Sequence, residues 1–288
     1  MITIISNDAG GAEILSDWAL HQKIDFNYVL TGPAIKIFKK KIVKLKISTL
    51  VKSIKKSNTI ITGSSWPGKI EVQAIKLAKK YKIKSITFLD HWEHYKMRFL
   101  NKKKYYFPDE IWVGDSGAYT KAKKEFPKIR IKKQTNFYLK KMIERVNKEK
   151  NKIENILYLC SPSIKKLNKN KYIFKYNEIQ LLDYFLTNLK YLKLDFKKII
   201  VRPHPIESKS KYAWIKKKYD LNIEINKKEK LEKQINSSKL IAGFNSNAMV
   251  IAALSGKKVL NVSPAGKQAN ILPFKSIKNF SDFLKNEK

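Results

Sequence analysis

Cysteine is the scarcest side chain in this 288-residue chain, with Cys160 alone, and arginine supplies only four of its 61 basic residues. A single cysteine excludes an intrachain disulfide, and its place at the end of an apolar run reads as a buried core thiol rather than a nucleophile. No stretch of eighteen apolar residues occurs, which leaves no candidate for a membrane-spanning helix. The chain opens directly on the strand-like MITIIS, so no signal peptide is expected and the expected location is the cytoplasm. Acidic residues number only 24, which leaves a formal net charge of +37. Neither a GxGxxG fingerprint nor a repeat at fixed period is present beyond a strand–helix rhythm.

The charge invites a nucleic-acid reading, but lysine carries nearly all of it and is scattered through most helices and loops. Sequence-specific DNA readers rely on arginine for bidentate base contacts, and arginine occurs only at Arg98, Arg130, Arg145 and Arg202. Nucleic acid is therefore an unlikely partner. Peripheral contact with the anionic inner face of a membrane fits the charge better, beside the plain alternative of a lysine-rich composition.

Apolar runs alternate with amphipathic stretches along the whole chain, which predicts an α/β protein built on parallel sheets. The length suits two Rossmann-like units of about 130–150 residues each. The almost wholly charged end of KKMIERVNKEKNKIEN places the boundary near Lys148–Glu154, giving domains over 1–150 and 151–288. In the second half, KKIIV (Lys197–Val201) stops at Arg202-Pro203-His204-Pro205. KLIAGF (Lys239–Phe244) stops at Asn245-Ser246-Asn247, and AMVIAALSGKK follows with helical spacing. Loops leaving the carboxyl ends of parallel strands are where such sheets bind ligands, so His204 and Ser246 are expected at neighbouring loop mouths in one crevice. A helix starting at Ser246 or Asn247 offers unpaired N–H groups and the positive end of its dipole to an anion. Ser246 and Asn247 otherwise serve as simple N-caps. Arg202 adds charge and the His204 imidazole a directed donor.

These motifs, Arg202-Pro203-His204-Pro205 and GFNSNAMVIAALSGKKVLNV, resemble the second domain of glycosyltransferases with the two-Rossmann-domain (GT-B) architecture. They are nearest to bacterial capsule-type enzymes: polysialyltransferases, Kdo transferases and CDP-glycerol glycerophosphotransferases. The resemblance implies two parallel sheets facing across a cleft, with His204 and Ser246 on the phosphate of a nucleotide-activated sugar donor. It also implies a metal-independent transfer without a cofactor to a glycan or glycolipid acceptor at the cell surface. The glutamate that related proteins use to bind the donor ribose falls at Ile251, a departure from the pattern. A sugar-nucleotide epimerase or hydrolase, or a non-catalytic anion- or nucleotide-binding protein, remains the alternative.

In the first half, MITIIS leads to Asn7-Asp8-Ala9-Gly10-Gly11 and the helix AEILSDWAL. Gly10 and Gly11 allow a tight turn and close backbone approach by a ligand. Asp8 is the nearest match to the acidic base of the resembled transferases, and it also stands where a helix cap belongs. KKKIVKLKIS reads as a short basic edge strand. Ser64-Ser65, before Trp66-Pro67-Gly68, is read as a helix cap with a weaker reading as acceptor contact. IKSITFLD ends in Asp90-His91-Trp92-Glu93-His94-Tyr95, where Asp90 with His91 suits a general base and Trp92 suits stacking on a sugar ring. On a helix His91 and His94 would share a face, but no third ligand completes a metal site. Ser161-Pro162-Ser163 and Ser263-Pro264-Ala265-Gly266 are two further strand-mouth loops on the donor side.

Overall fold

The computed structural model describes residues 1–66, 69–161, 176–264 and 271–285. Pro67, Gly68, Pro162, Ser163, Ala265 and Gly266, which figure in the expectations above, lie outside them. The chain divides into two compact units, Met1–Lys140 and Lys141–Lys288. Each is built on a six-stranded parallel sheet, as the alternating strand–helix pattern predicts.

In the first unit, β1 (Ile2–Ser6), β2 (Phe26–Leu30), β3 (Thr59–Thr62), β4 (Lys84–Leu89), β7 (Glu110–Val113) and β8 (Arg130–Lys133) form the sheet, and β5 (Leu100–Asn101) and β6 (Lys104–Tyr105) form a small antiparallel hairpin. The helices are α1 (Ala9–Leu20), α2 (Pro33–Lys41), α3 (Leu50–Lys55), α4 (Ile70–Lys80) and α5 (Ser116–Glu125), and the division between units falls inside α6 (Phe137–Lys148). The strand order β2-β1-β3-β4-β7-β8 reverses between β1 and β3. Both faces of the sheet carry apolar cores, one around Trp18, Phe38, Phe88 and Trp112, the other around Ile5, Ile54, Ala74 and Ala78. Strands buried on both faces account for continuous apolar runs such as MITII and TIIT.

The second unit contains β9 (Asn155–Leu159), α7 (Glu178–Thr187), β10 (Ile199–Arg202), α8 (Ile215–Lys218), β11 (Ile223–Ile225), α9 (Leu231–Asn236), β12 (Ser238–Gly243), α10 (Asn247–Leu254), β13 (Lys258–Asn261), β14 (Ile277–Asn279) and α11 (Phe280–Lys285). Its order, β11-β10-β9-β12-β13-β14, reverses between β9 and β12. An apolar core lies on one face of this sheet, around Tyr158, Phe185, Tyr212 and Phe280.

Three local expectations need correction. KKKIVKLKIS is not a strand: Lys39–Lys41 end α2, and only Ile47 bridges to Tyr28. Pro33 starts that helix, and Ala34 and Phe38, four apart, bury its inner face, so helical spacing overrides the alternating pattern. KKMIERVNKEKNKIEN, whose pattern reads as one helix, is helical only to Lys148, and the helix begins earlier, at Phe137, because the Asn136 side chain accepts from the Leu139 N–H at 2.9 Å. Between the His-Pro loop and β12 the pattern gives one helix, where the structure has α8, the short strand β11 and α9.

Candidate functional site

In the second unit the reversal of strand order sits at the mouths of β9 and β12. There the Ser161 hydroxyl donates to the Phe244 carbonyl at 2.8 Å, lacing the two strand ends together. Gly243 is needed at that point, since a Cβ on it would stand 2.7 Å from the Leu159 carbonyl oxygen. The chain then turns through Asn245, held in the left-handed region at φ 46°. Asparagine tolerates that conformation, and here its backbone N–H donates to the buried Asn261 side chain at 3.2 Å. The turn presents Ser246 as the N-cap of α10, with its Oγ accepting from the Ala248 N–H at 3.2 Å. Oγ acts there as acceptor, so the hydroxyl proton is left to donate outward. The first turn of α10 contributes N–H groups with the positive end of the dipole.

His204 is not on the adjacent mouth, as expected, but one strand further, because β9 separates β10 from β12. Two strand spacings set the His204 and Ser246 mouths about 10 Å apart. Cys160 N–H donates to the Arg202 carbonyl at 3.0 Å, so the end of β9 holds both neighbouring mouths. The His204 loop is a tight turn in which the Glu207 N–H donates to the His204 carbonyl at 2.9 Å. Glu207, itself buried, accepts from the His204 N–H at 3.1 Å, from Tyr212 at 2.9 Å and from Lys211 at 2.5 Å. His204 Nδ1 accepts from the Ile206 N–H at 3.4 Å, which directs the proton of the neutral ring to Nε2. Burial pushes the imidazole below its ordinary value, against the opposing pull of Glu207 and with the help of Lys227. His204 is therefore a neutral Nε2–H donor at pH 7. Arg202 commits Nη1 to the Glu229 carbonyl at 2.7 Å and to Gln234 at 2.6 Å, tying β10 to the stretch that leads into α9. Asn247 opens α10. Ile251 is buried within the same helix. Cys160 is a buried thiol, pushed up by desolvation, as the sequence suggests.

In the first unit the corresponding reversal lies between β1 and β3. Gly11 packs directly on the β3 mouth, where a Cβ would stand 3.1 Å from Gly63 Cα. Gly10 lies against Asp90 at the β4 mouth, where a Cβ would come within 2.1 Å of Oδ2. Asp90 Oδ1 accepts from Ser64 at 2.7 Å and from the buried Arg98 at 2.8 Å. Ser64 is thus a ligand of Asp90 and no helix cap. Asp8 occupies the N-cap position of α1 without capping through its side chain. Its Oδ1 instead accepts from Asn7 at 2.5 Å and from Lys69 at 3.3 Å, with the carboxylate about one-third exposed. His91 is half-buried, and its ring centroid lies 5.6 Å from that of Trp92. Trp92 is buried and donates Nε1 to Asp115 at 2.9 Å, so its ring lies in the core and is not open for the expected stacking on a sugar. Residues 90–95 form a bend rather than a helix, and His94, at φ 54°, stacks on Trp66 with ring centroids 4.2 Å apart. Burial, with Arg98 and Lys121 nearby, pushes the His94 imidazole down. Among the described residues no three His, Cys, Asp or Glu side chains gather as a metal-binding group.

Glu71 and Arg98 are the functional candidates that sequence reasoning passed over. Glu71 is 2% exposed, and its Oε1 accepts from the Asn7 N–H at 2.7 Å and from Ser65 at 2.8 Å. Its Oε2 is buried without a hydrogen-bond partner. Desolvation pushes this carboxyl up, opposed by its hydrogen bonds and aided by Asp8. The signal was present in the spacing, since Glu71, Ile75 and Ala78 at i, i+4 and i+7 share the buried stripe of α4.

No protein-family model matches the chain, and no curated protein matches it in sequence. Solved structures do match it. The UDP-GlcNAc 2-epimerase from Neisseria meningitidis bound to UDP-GlcNAc aligns at a TM-score of 0.62 and 9% identity, covering 99% of this chain and 89% of that one. The UDP-GlcNAc 2-epimerase from Methanocaldococcus jannaschii aligns at 0.58 and 16% identity, over 90% and 83% of the two chains. The glycotransferase of kitacinnamycin aligns at 0.54 and 8%, over 99% and 88%. At such identities the likeness is one of fold, and it covers both units of this chain.

Proposed function

We propose that this chain is a metal-independent glycosyltransferase that moves a sugar from a nucleotide-activated donor to a surface-glycan or glycolipid acceptor, nearest in kind to capsule-type transferases. The observation that carries the reading is the ring of hydrogen-bond donors at the mouths of β9, β10 and β12: the α10 N–H groups, the Ser246 hydroxyl and the neutral Nε2–H of His204. Hydrogen-bond donors beside the positive end of a helix dipole suit the phosphates of a sugar nucleotide, and they stabilise the negative charge that grows on the leaving phosphate. As the bond from the sugar carbon to the phosphate oxygen breaks, the acceptor oxygen bonds to that carbon and its proton passes to a carboxylate. Asp8 is the base in this reading, since its carboxylate is more exposed than that of Asp90, which beside His91 is the other candidate. Gly10 and Gly11 let the backbone come close to the substrate, while Arg202, Asn247 and Trp92 shape the two mouths. Soluble and peripheral forms are both compatible with the described residues, which include no helix long and apolar enough to cross a membrane.

A second reading, a sugar-nucleotide epimerase, is favoured by the UDP-GlcNAc 2-epimerases among the structural neighbours. Product analysis with and without an acceptor separates the two, because only a transferase requires one. Thermal-shift measurements against CMP-, UDP-, CDP- and GDP-sugars test the shared premise, since a ligand that binds the native state raises the melting temperature by mass action. His204→Ala should abolish both that shift and turnover while leaving the unliganded melting temperature nearly unchanged. An unaffected shift would remove His204 from the site.

A further inference from the structure

Between Asp25 and Glu71 the chain contains ten lysines and not one acidic residue. Within a chain of this charge such a run is still selective, because the 24 acids are absent from one continuous piece of the first unit. The structure sorts these lysines. Lys41 turns inward, 3.1 Å from Asp17 and 2.5 Å from Glu13, and is neutralised there. Lys36, Lys39 and Lys40 stand on the outer face of α2, with Val43 following at i+7 from Lys36, so the helix stripe runs on into the loop that joins α2 to α3. Lys44 and Lys46 continue the exposed row, and no ion pair with a carboxylate involves any of these five among the described residues.

Three aliphatic side chains of the same segment stand in solvent, while Ile42 and Leu45 beside them pack on the core. Val43 is 97% exposed, flanked by Lys41 and Lys44, and Val51 and Ile47 are 49% and 42% exposed. The loop is nonetheless fixed, since Ser48 N–H donates to the Tyr28 carbonyl at 2.8 Å and Ile47 bridges to the edge strand β2. An ordered tip of aliphatic residues inside a ring of unpaired lysines is complementary to one kind of partner. Its charge matches anionic headgroups, and its tip matches the acyl boundary just beneath them. Nucleic acid would be served instead by arginine and exposed aromatic faces, and this segment has no arginine while Phe38 is fully buried.

We infer that the α2–α3 segment, with Val43 at its tip and Lys36, Lys39, Lys40, Lys44 and Lys46 around it, docks the first unit on an anionic lipid bilayer. The inference is independent of the sugar-nucleotide reading. The test is sedimentation of the full chain with phosphatidylcholine vesicles, with and without about 30% phosphatidylglycerol, at two salt concentrations. Wild type should bind only the anionic vesicles, more weakly at the higher salt. Replacing Lys39, Lys40, Lys44 and Lys46 by Gln should weaken binding by about fivefold for each lysine removed. The same change at the exposed Lys190, Lys193, Lys216 and Lys217 of the second unit should have little effect. Val43→Ser should cost about tenfold, and Val43→Trp should blue-shift its emission on anionic vesicles alone. Equal losses from the two lysine sets would show a diffuse charge effect and overturn the inference. So would full binding by Val43→Ser, or single-stranded RNA displacing the protein from vesicles in the wild type but not in the four-lysine variant. Sugar-nucleotide thermal shifts of the same variants should match wild type, so a failure of the donor-site reading is read separately.

Discussion

Replacing Glu71 by Gln tests whether a buried carboxyl in the first unit is held for its chemistry at a cost to stability. The native environment pushes Glu71 above its ordinary value of 4.5, with desolvation as the main cause. A carboxyl whose native pKa is raised favours folding in its neutral form. Its penalty is therefore absent below the unfolded value and grows as pH rises from there, reaching its full size above the native pKa. Across that window wild type loses up to about 1.4 kcal/mol of stability per pH unit from this group. Glutamine keeps an oxygen for the Asn7 N–H and the Ser65 hydroxyl, and it removes the charge that Oε2 would bear without a partner. Denaturant melts from pH 4 to 8 should show Glu71→Gln and wild type alike at the acid end and the variant progressively more stable towards neutrality. Activity should fall in the variant if the carboxyl serves the Asp8 mouth. A variant that is less stable by the same amount at every pH would refute the reasoning, because the carboxyl would then act only through its hydrogen bonds.

Other outcomes follow from the same geometry. Gly10→Ala places a Cβ 2.1 Å from an oxygen of Asp90 whose other oxygen is pinned by Arg98 and Ser64, so it should lower stability by about 1–3 kcal/mol, seen as a drop in melting temperature. Arg98→Ala leaves the Asp90 carboxylate, about one-tenth exposed, without its cation and should cost about 3 kcal/mol in a denaturant melt, far more than an exposed ion pair. Glu207→Ala deprives the fully buried Tyr212 hydroxyl and the His204 N–H of their acceptor, for about 1–3 kcal/mol each. It should also weaken the sugar-nucleotide thermal shift, whereas Tyr212→Phe should lower stability by about 1 kcal/mol and leave the shift in place.

How much of this was legible in the sequence depends on the length scale of each signal. β12 and α10 were legible because KLIAGF is a continuous apolar run ended by a residue set that turns and caps, and Ser246 caps as its type predicts. β11 was not, because three residues inside a polar stretch carry no period. His204 and Ser246 look like neighbours along the chain for a different reason: β9 lies between β10 and β12, and its pairings with both join residues more than forty positions apart. KKKIVKLKIS misled for a related reason: alternation over a few residues mimics a strand, and the competing signal is the contact of Ala34 and Phe38 with a distant core. Glu71 and Arg98 were missed because burial of a charge is a tertiary fact, although a glutamate on an apolar helix stripe was a visible anomaly.

The two strand-order reversals make sense of the polar chemistry. Where successive connections leave a parallel sheet in opposite directions, the first helices diverge and a crevice opens at the carboxyl ends of the central strands. In the second unit that crevice is edged by donors: helix N–H groups, a capping serine and an imidazole kept neutral by burial. In the first unit it is edged by carboxyls, Asp8, Glu71 and Asp90, three of only 24 acids in a chain with a net charge of +37. Arg98 and Lys69 hold two of them in place. In the proposed transferase reading, the carboxyls of the first unit supply the proton acceptor and the donors of the second unit bind the phosphate. That division also orders the experiments: loss of donors at His204 should act on nucleotide binding, whereas Asp8→Asn should leave the sugar-nucleotide thermal shift intact and remove turnover.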